Sequence, residues 1–164
     1  MNTKKIVMSS MLAALVCVAT MIIKIPSPLK GYLNFGDCVV LLSGWLMPPP
    51  YGFLIGGIGS ALADVFSGYI VYAPVTFVIK GLMAVVAYFA FAFFNKRTGR
   101  LASRIISAAF AELLMMTGYL TFESILYGFV PSLVNIPANI IQGVAGLILG
   151  TLLISLFEKN KIYF

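Results

Sequence analysis

The chain has 164 residues, of which 61% are hydrophobic and only 10% charged, with a net charge of +6 and no histidine. A soluble domain is nearer one quarter charged, so this composition, with a mean hydropathy of +1.04, argues against a soluble enzyme and predicts a helical integral membrane protein. In such a chain the basic excess reflects lysine- and arginine-rich cytoplasmic loops and not nucleic-acid binding, and the two cysteines, Cys17 and Cys38, give no disulfide framework or metal-ligand spacing.

One domain, residues 1–164, is expected, with six spans. The first runs from about Lys4 to Ile23. Its start resembles a signal peptide, but no small-residue cleavage site leads into a soluble chain, so it reads as a span. The second, about Phe35 to Met47, and the third, about Tyr51 to Phe66, are short and separated by Pro48-Pro49-Pro50, which cannot continue a helix. The fourth covers about Pro74 to Phe94, the fifth about Leu101 to Phe122 or a little beyond, and the sixth about Ser132 to Phe157. Lys4 and Lys5, then Lys96, Arg97, Arg100 and Arg104, then Lys159 and Lys161 fall on one side of this layout. They are eight of the 11 basic residues, so that side is expected to be cytoplasmic, with both termini there. The fold class is therefore all-α, a compact bundle of six transmembrane helices in a cell membrane.

Ionisable groups inside a bilayer cost at least about 2.5–3.5 kcal/mol each on insertion scales and are functional suspects. Asp64, Lys80 and Glu112 lie inside spans, and Asp37 and Glu123 near span ends. In the sixth span Asn135, Asn139 and Gln142 recur at i, i+4 and i+7, and Gly146 and Gly150 continue the same face. Tyr72, Thr76 and Lys80 share a face of the fourth span, and Glu112, Met116, Tyr119 and Glu123 one of the fifth. By depth, nearly all of these fall in the outer half and leave the inner half almost empty of buried polar groups. A cavity open to the outside is expected, with Asn139, Gln142, Glu112, Lys80, Asn135, Tyr72, Tyr119 and Asp64 binding a small polar ring compound. Each has a plainer role. Lys80 can pair with Glu112 or Asp64, Asp37 can cap the second helix, Asp64 can bond within the third, and the amides can be interhelical glue. Tyr32, Tyr69 and Tyr72 can stack on a ligand or belong to the interfacial belt.

No enzyme motif is present. Gly52, Gly56 and Ser60 read as a small packing stripe, not a dinucleotide loop, and no Walker motif exists, so the chain is not expected to hydrolyse ATP or to carry a cofactor. A second small stripe, Ser9, Ala13 and Cys17, lets another helix approach the first span closely.

Several segments together carry a family resemblance: the small-residue first span, the outer loop Pro26 to Asp37, the stretch Gly56 to Asp64, the stretch Tyr72 to Gly81, and the amide-bearing start of the sixth span. Over essentially its whole length the chain resembles the substrate-binding S components of energy-coupling factor (ECF) vitamin transporters. The resemblance implies capture of a vitamin or precursor from outside, and work with a transmembrane T component and two ATPase subunits. The stripe on the first span matches in position the family's Ala-xxx-Ala docking motif, but reads Ser9-xxx-Ala13-xxx-Cys17. The family's first outer loop is a lid, which makes Tyr32 and Asn34 lid residues. The pattern is similar to members associated with pyridoxine or hydroxymethylpyrimidine, slightly ahead of riboflavin. Two rival classes are a self-sufficient homo-oligomeric transporter or channel, and a membrane-embedded enzyme using Glu112 or Asp64.

Overall fold

A computed structural model describes residues 3–26 and 32–159. The chain runs α1 (Thr3–Ile22), β1 (Ile25–Pro26), β2 (Tyr32–Leu33), α2 (Gly36–Leu46), α3 (Pro49–Phe66), α4 (Ala73–Phe94), α5 (Arg100–Tyr127), α6 (Phe129–Ser132), a 3-10 turn (Leu133–Asn135) and α7 (Ile136–Lys159). Four segments are long and apolar enough to cross a membrane: α1, α4, α5 and the continuous stretch from α6 through α7. At 11 residues α2 rises only about 16 Å, about half the hydrocarbon thickness. It can be short because nine of its residues, Gly36 to Gly44, are buried and packed by α1, α3, α4 and α7. Lipid never has to be spanned by it.

The proline run acts as its chemistry requires. Met47 and Pro48 are extended, with ψ of 149° at each, and Pro49 and Pro50 then open α3, where a missing N–H costs nothing. The small stripe of α3 is a packing device. A Cβ on Gly56 would sit 2.6 Å from the Lys80 carbonyl oxygen of α4, and one on Gly59 would sit 2.5 Å from the Ala13 carbonyl oxygen of α1. Backbone thus meets backbone on both sides of α3. Between α5 and α6, Gly128 takes φ +89°, which a side chain would resist, and this breaks the chain so that α6 and the 3-10 turn fold back before α7.

The sixth predicted span is therefore not one helix from Ser132. Asn135 lies in the 3-10 turn, ahead of the helix that carries Asn139 and Gln142. The inward stripe survives: Asn135, Gln142, Gly146 and Gly150 are all buried. The end of the bundle near the α4–α5 connection, expected from the sequence to be an inner half almost empty of buried polar groups, holds several. Arg104 lies inside α5 and is buried, with Ser43, Ser103 and Ser107. It bonds Glu158 of α7 (Nη1 to Oε2, 2.9 Å) and lies beside the rings of Trp45 and Phe91. Lys161 lies outside the described residues.

Candidate functional site

At the end of the bundle opposite Arg104, the β1–β2 hairpin folds over the helix ends, pairing Ile25 with Leu33 and Pro26 with Tyr32. Two side chains tie it down. The Tyr32 hydroxyl donates to Asp64 Oδ1 of α3 at 2.6 Å, and its ring lies 4.8 Å from that of Tyr69. Burial, then the neighbouring Asp64 charge, raise the Tyr32 hydroxyl above the usual tyrosine range, so it stays a donor at neutral pH. The Asn34 backbone N–H and side-chain Nδ2 both donate to Gln142 Oε1 of α7, at 3.1 and 3.4 Å. The Asn34 carbonyl Oδ1 accepts from Gly36 N–H at 2.9 Å, which fixes the turn into α2.

Gln142 also faces the core. Its Nε2 donates to Asp37 Oδ2 at 2.7 Å, and Asp37 Oδ1 is paired with the Lys80 ammonium of α4. Asp37 is not a cap. Phe35 holds the cap position without a side-chain bond, and the Asp37 carboxylate is turned wholly inward to Lys80 and Gln142. Lys80 in turn pairs with neither Glu112 nor Asp64, and Asp64 reaches across to the hairpin instead of bonding within α3. The Lys80 nitrogen is 5.6 Å from the centre of the Tyr119 ring, whose hydroxyl shares a 3.1 Å hydrogen bond with Thr76. Nearer the surface, Asn135 Nδ2 donates to Glu123 Oε1 at 2.8 Å.

These residues enclose a cavity of about 40 Å³, space for a few waters. Of the predicted set, Asn139, Gln142, Asn135, Tyr72, Tyr119 and Asp64 line it, with Tyr32 and Asn34 from the hairpin. Lys80 and Glu112 do not. Lys80 is consumed by its ion pair, and Glu112 lies against Gly143 and Gly146 on the far side of that pair. Tyr69 and Glu123, visible in the sequence as a loop aromatic and a span-end acid, also belong to the lining, as do Leu33 and Ala138, which no pattern marked. Among the described residues no cluster of three or more His, Cys, Asp or Glu side chains could hold a metal ion.

Ser9, Ala13 and Cys17 lie elsewhere. With Ser10, Ala14, Leu54 and Ile58 they line an open, apolar groove of about 630 Å³ between α1 and α3.

A polar cavity under a tied-down hairpin, in a bundle whose outer surface is apolar, is the layout of a membrane-embedded protein with an internal polar site. A family model described as "ECF-type riboflavin transporter, S component" matches residues 1–159. A protein of Pyrococcus woesei described as an uncharacterized protein in gap 3'region is 38% identical over 136 residues, covering 82% of this chain and 88% of that protein. A solved structure, "Structure and mechanism of the S component of a bacterial ECF transporter", matches with a TM-score of 0.74 and 26% identity over 97% of this chain and 98% of that one. The chain belongs to the family of ECF-type riboflavin transporter S components. It is thus a transporter component of a multi-pass membrane fold, not an enzyme.

Proposed function

We propose that this protein captures one vitamin-sized, planar polar ring compound in the cavity beneath the hairpin and delivers it across the plasma membrane with a T component and two ATPase subunits. The observation that carries the reading is the cavity itself: amides, carboxylates and tyrosines from α3, the α3–α4 loop, α5, the 3-10 turn, α7 and the hairpin converge on one point. Amides and carboxylates match ring nitrogens and hydroxyls, and tyrosines can stack. The description of the matched family supports riboflavin as the first ring to test, with pyridoxine and hydroxymethylpyrimidine after it. The cavity of about 40 Å³ is smaller than any of these rings, so the hairpin must lift for entry and its ties to Asp64 and Gln142 must open.

Calorimetry with riboflavin on the purified protein tests this. Asn139→Ala, which removes a cavity amide, weakens binding roughly five- to 150-fold, from about 1–3 kcal/mol for one polar contact. Asn95→Ala, at the opposite end of the bundle, leaves affinity unchanged. Equal affinities in the two variants would take α7 out of the site. Binding of pyridoxine or a pyrimidine in place of riboflavin would keep the site and change its ligand.

The α1–α3 groove is the surface proposed for the T component. Ala13→Trp fills it and is expected to abolish uptake while sparing binding, and uptake at the normal rate would remove the groove from coupling. Both termini are proposed to be cytoplasmic. A cysteine at Lys96 would then resist an impermeant maleimide in intact cells, and one at Ser67 would react.

A further inference from the structure

The cavity under the hairpin is walled by two acids whose hydrogen bonding the protein leaves incomplete. Asp64 of α3 and Glu123 of α5 both line it, and they are only 5% and 3% exposed. Each carboxyl is met on one oxygen. Tyr32 donates to Asp64 Oδ1 at 2.6 Å, and Asn135 Nδ2 donates to Glu123 Oε1 at 2.8 Å. Asp64 Oδ2 and Glu123 Oε2 are buried without a hydrogen-bond partner among the described residues. The hydroxyls of Thr76 and Tyr72 stand near these acids, but neither closes a hydrogen bond to the second oxygen. A buried acceptor of this kind costs free energy until a donor reaches it.

Among the described residues no lysine or arginine lines the cavity. Beneath it, the Lys80 ammonium is paired with Asp37. On the hairpin side, Lys24 donates to Ser67 Oγ at 2.9 Å, and its nitrogen is 6.0 Å from the centre of the Tyr32 ring. Lys24 is exposed, so water and salt screen its charge. A phosphate entering the cavity would meet two acids and no cation of its own, in a pocket where charge is poorly screened. A hydroxyl, an amino group or a ring N–H would meet an open acceptor instead.

We propose that Asp64 and Glu123 set the charge specificity of the cavity: it takes an uncharged ring compound that presents hydrogen-bond donors to these acids, and it rejects the phosphate ester of the same compound. The ligand donates to Asp64 Oδ2 and Glu123 Oε2, the oxygens that the protein leaves open. Rejection of the ester comes from like charge and not from size. This inference rests on the cavity being the vitamin site, and it adds which form of the vitamin is captured.

Calorimetry on the whole protein at neutral pH tests it, comparing riboflavin with its phosphate ester and pyridoxine with its phosphate ester. Within each pair only the phosphate differs. The free ring is expected to bind at least about 100-fold tighter than its ester. Asp64→Asn and Glu123→Gln each keep the oxygen that accepts from Tyr32 or Asn135 and put an amide donor in place of the open oxygen. Each should narrow the ratio about tenfold, by weakening the free ring and relieving the ester. Two positions are changed separately, so one variant that fails to fold leaves the other to decide. Equal affinities of ring and ester in the unaltered protein, or a ratio that a folded variant does not move, overturns the charge proposal and leaves the cavity as the vitamin site. Binding of none of these compounds overturns the vitamin reading itself, and this inference with it.

Discussion

At the basic end of the bundle, Arg104 is buried inside α5, yet its guanidinium meets Glu158 and lies beside two aromatic rings. Trp45 of α2 donates to Ser107 Oγ of α5 at 3.0 Å close by. These contacts join α2, α4, α5 and α7, whereas the far end holds the cavity under the hairpin. There the residue types are similar and the arrangement differs. Asp64 and Glu123 each give one oxygen to a protein donor, Tyr32 and Asn135, while the second oxygen is buried without such a bond. Tyr32, like Asn34, belongs to a two-stranded hairpin and not to a spanning helix, so part of this network is held by a cover. A network whose partners all sit on helices locks those helices together; one whose partners include a removable cover, with acceptors to spare, can exchange them for a ligand's. The difference comes less from which residues are present than from whether each polar atom's partner sits on a fixed element.

The buried Asp37–Lys80 pair lies beneath the cavity and belongs to the fixed part. Its disruption is the largest effect expected. Lys80→Met leaves Asp37 as an uncompensated buried charge, and about 3–5 kcal/mol of stability should be lost, read as a fall in unfolding temperature in detergent. Adding Asp37→Leu to Lys80→Met should restore much of that loss, since replacing both members of a buried pair is often near neutral. If the double variant is as unstable as the single, the pair is not an isolated unit.

Next is Gln142, which joins the fixed part to the cover. Gln142→Leu removes both hairpin bonds and the donor to Asp37, and should weaken vitamin binding by roughly 100-fold, on the scale of two lost hydrogen bonds to charged or buried partners. Unchanged affinity would show that the hairpin does not close through α7. Tyr32→Phe takes only the bond to Asp64 and should cost about 1 kcal/mol, near fivefold, appearing mainly as faster ligand release in stopped-flow measurements. A slower release would mean that Tyr32 obstructs the ligand.

The smallest effect belongs to the basic end. Arg100→Gln removes only the contact of an arginine that is 67% exposed to Glu158, so the cost is at most about 1 kcal/mol and should shrink at high salt. Vitamin affinity should not change, because nothing at that end touches the cavity. A loss of affinity in Arg100→Gln would remove the distinction between the two ends.

Local sequence determined much of this molecule. The hydrophobic runs located every long helix to within a few residues, apart from the start of the last, since burying backbone in lipid demands continuous helix. The prolines at 48–50 separated α2 from α3 by removing donors, and the amide and glycine stripe of the last span marked an inward face through a spacing that is itself local. Six of the eight predicted binding residues reach the cavity for the same reason: helical periodicity and depth suffice to choose a face and a level. Pairing across the bundle was decided only by the tertiary structure. Asp37 looked like a cap because an acid in a first helical turn suits that end of the helix, but its partners are Lys80 and Gln142, 43 and 105 residues away. Lys80 and Glu112 share depth with the cavity residues, yet the first is taken by Asp37 and the second packs against Gly143 and Gly146 of α7. Periodicity fixes the direction of a side chain about its own helix, whereas which groups meet depends on how seven helical segments approach one another, and that is set by backbone contacts at residues such as Gly56 and Gly59.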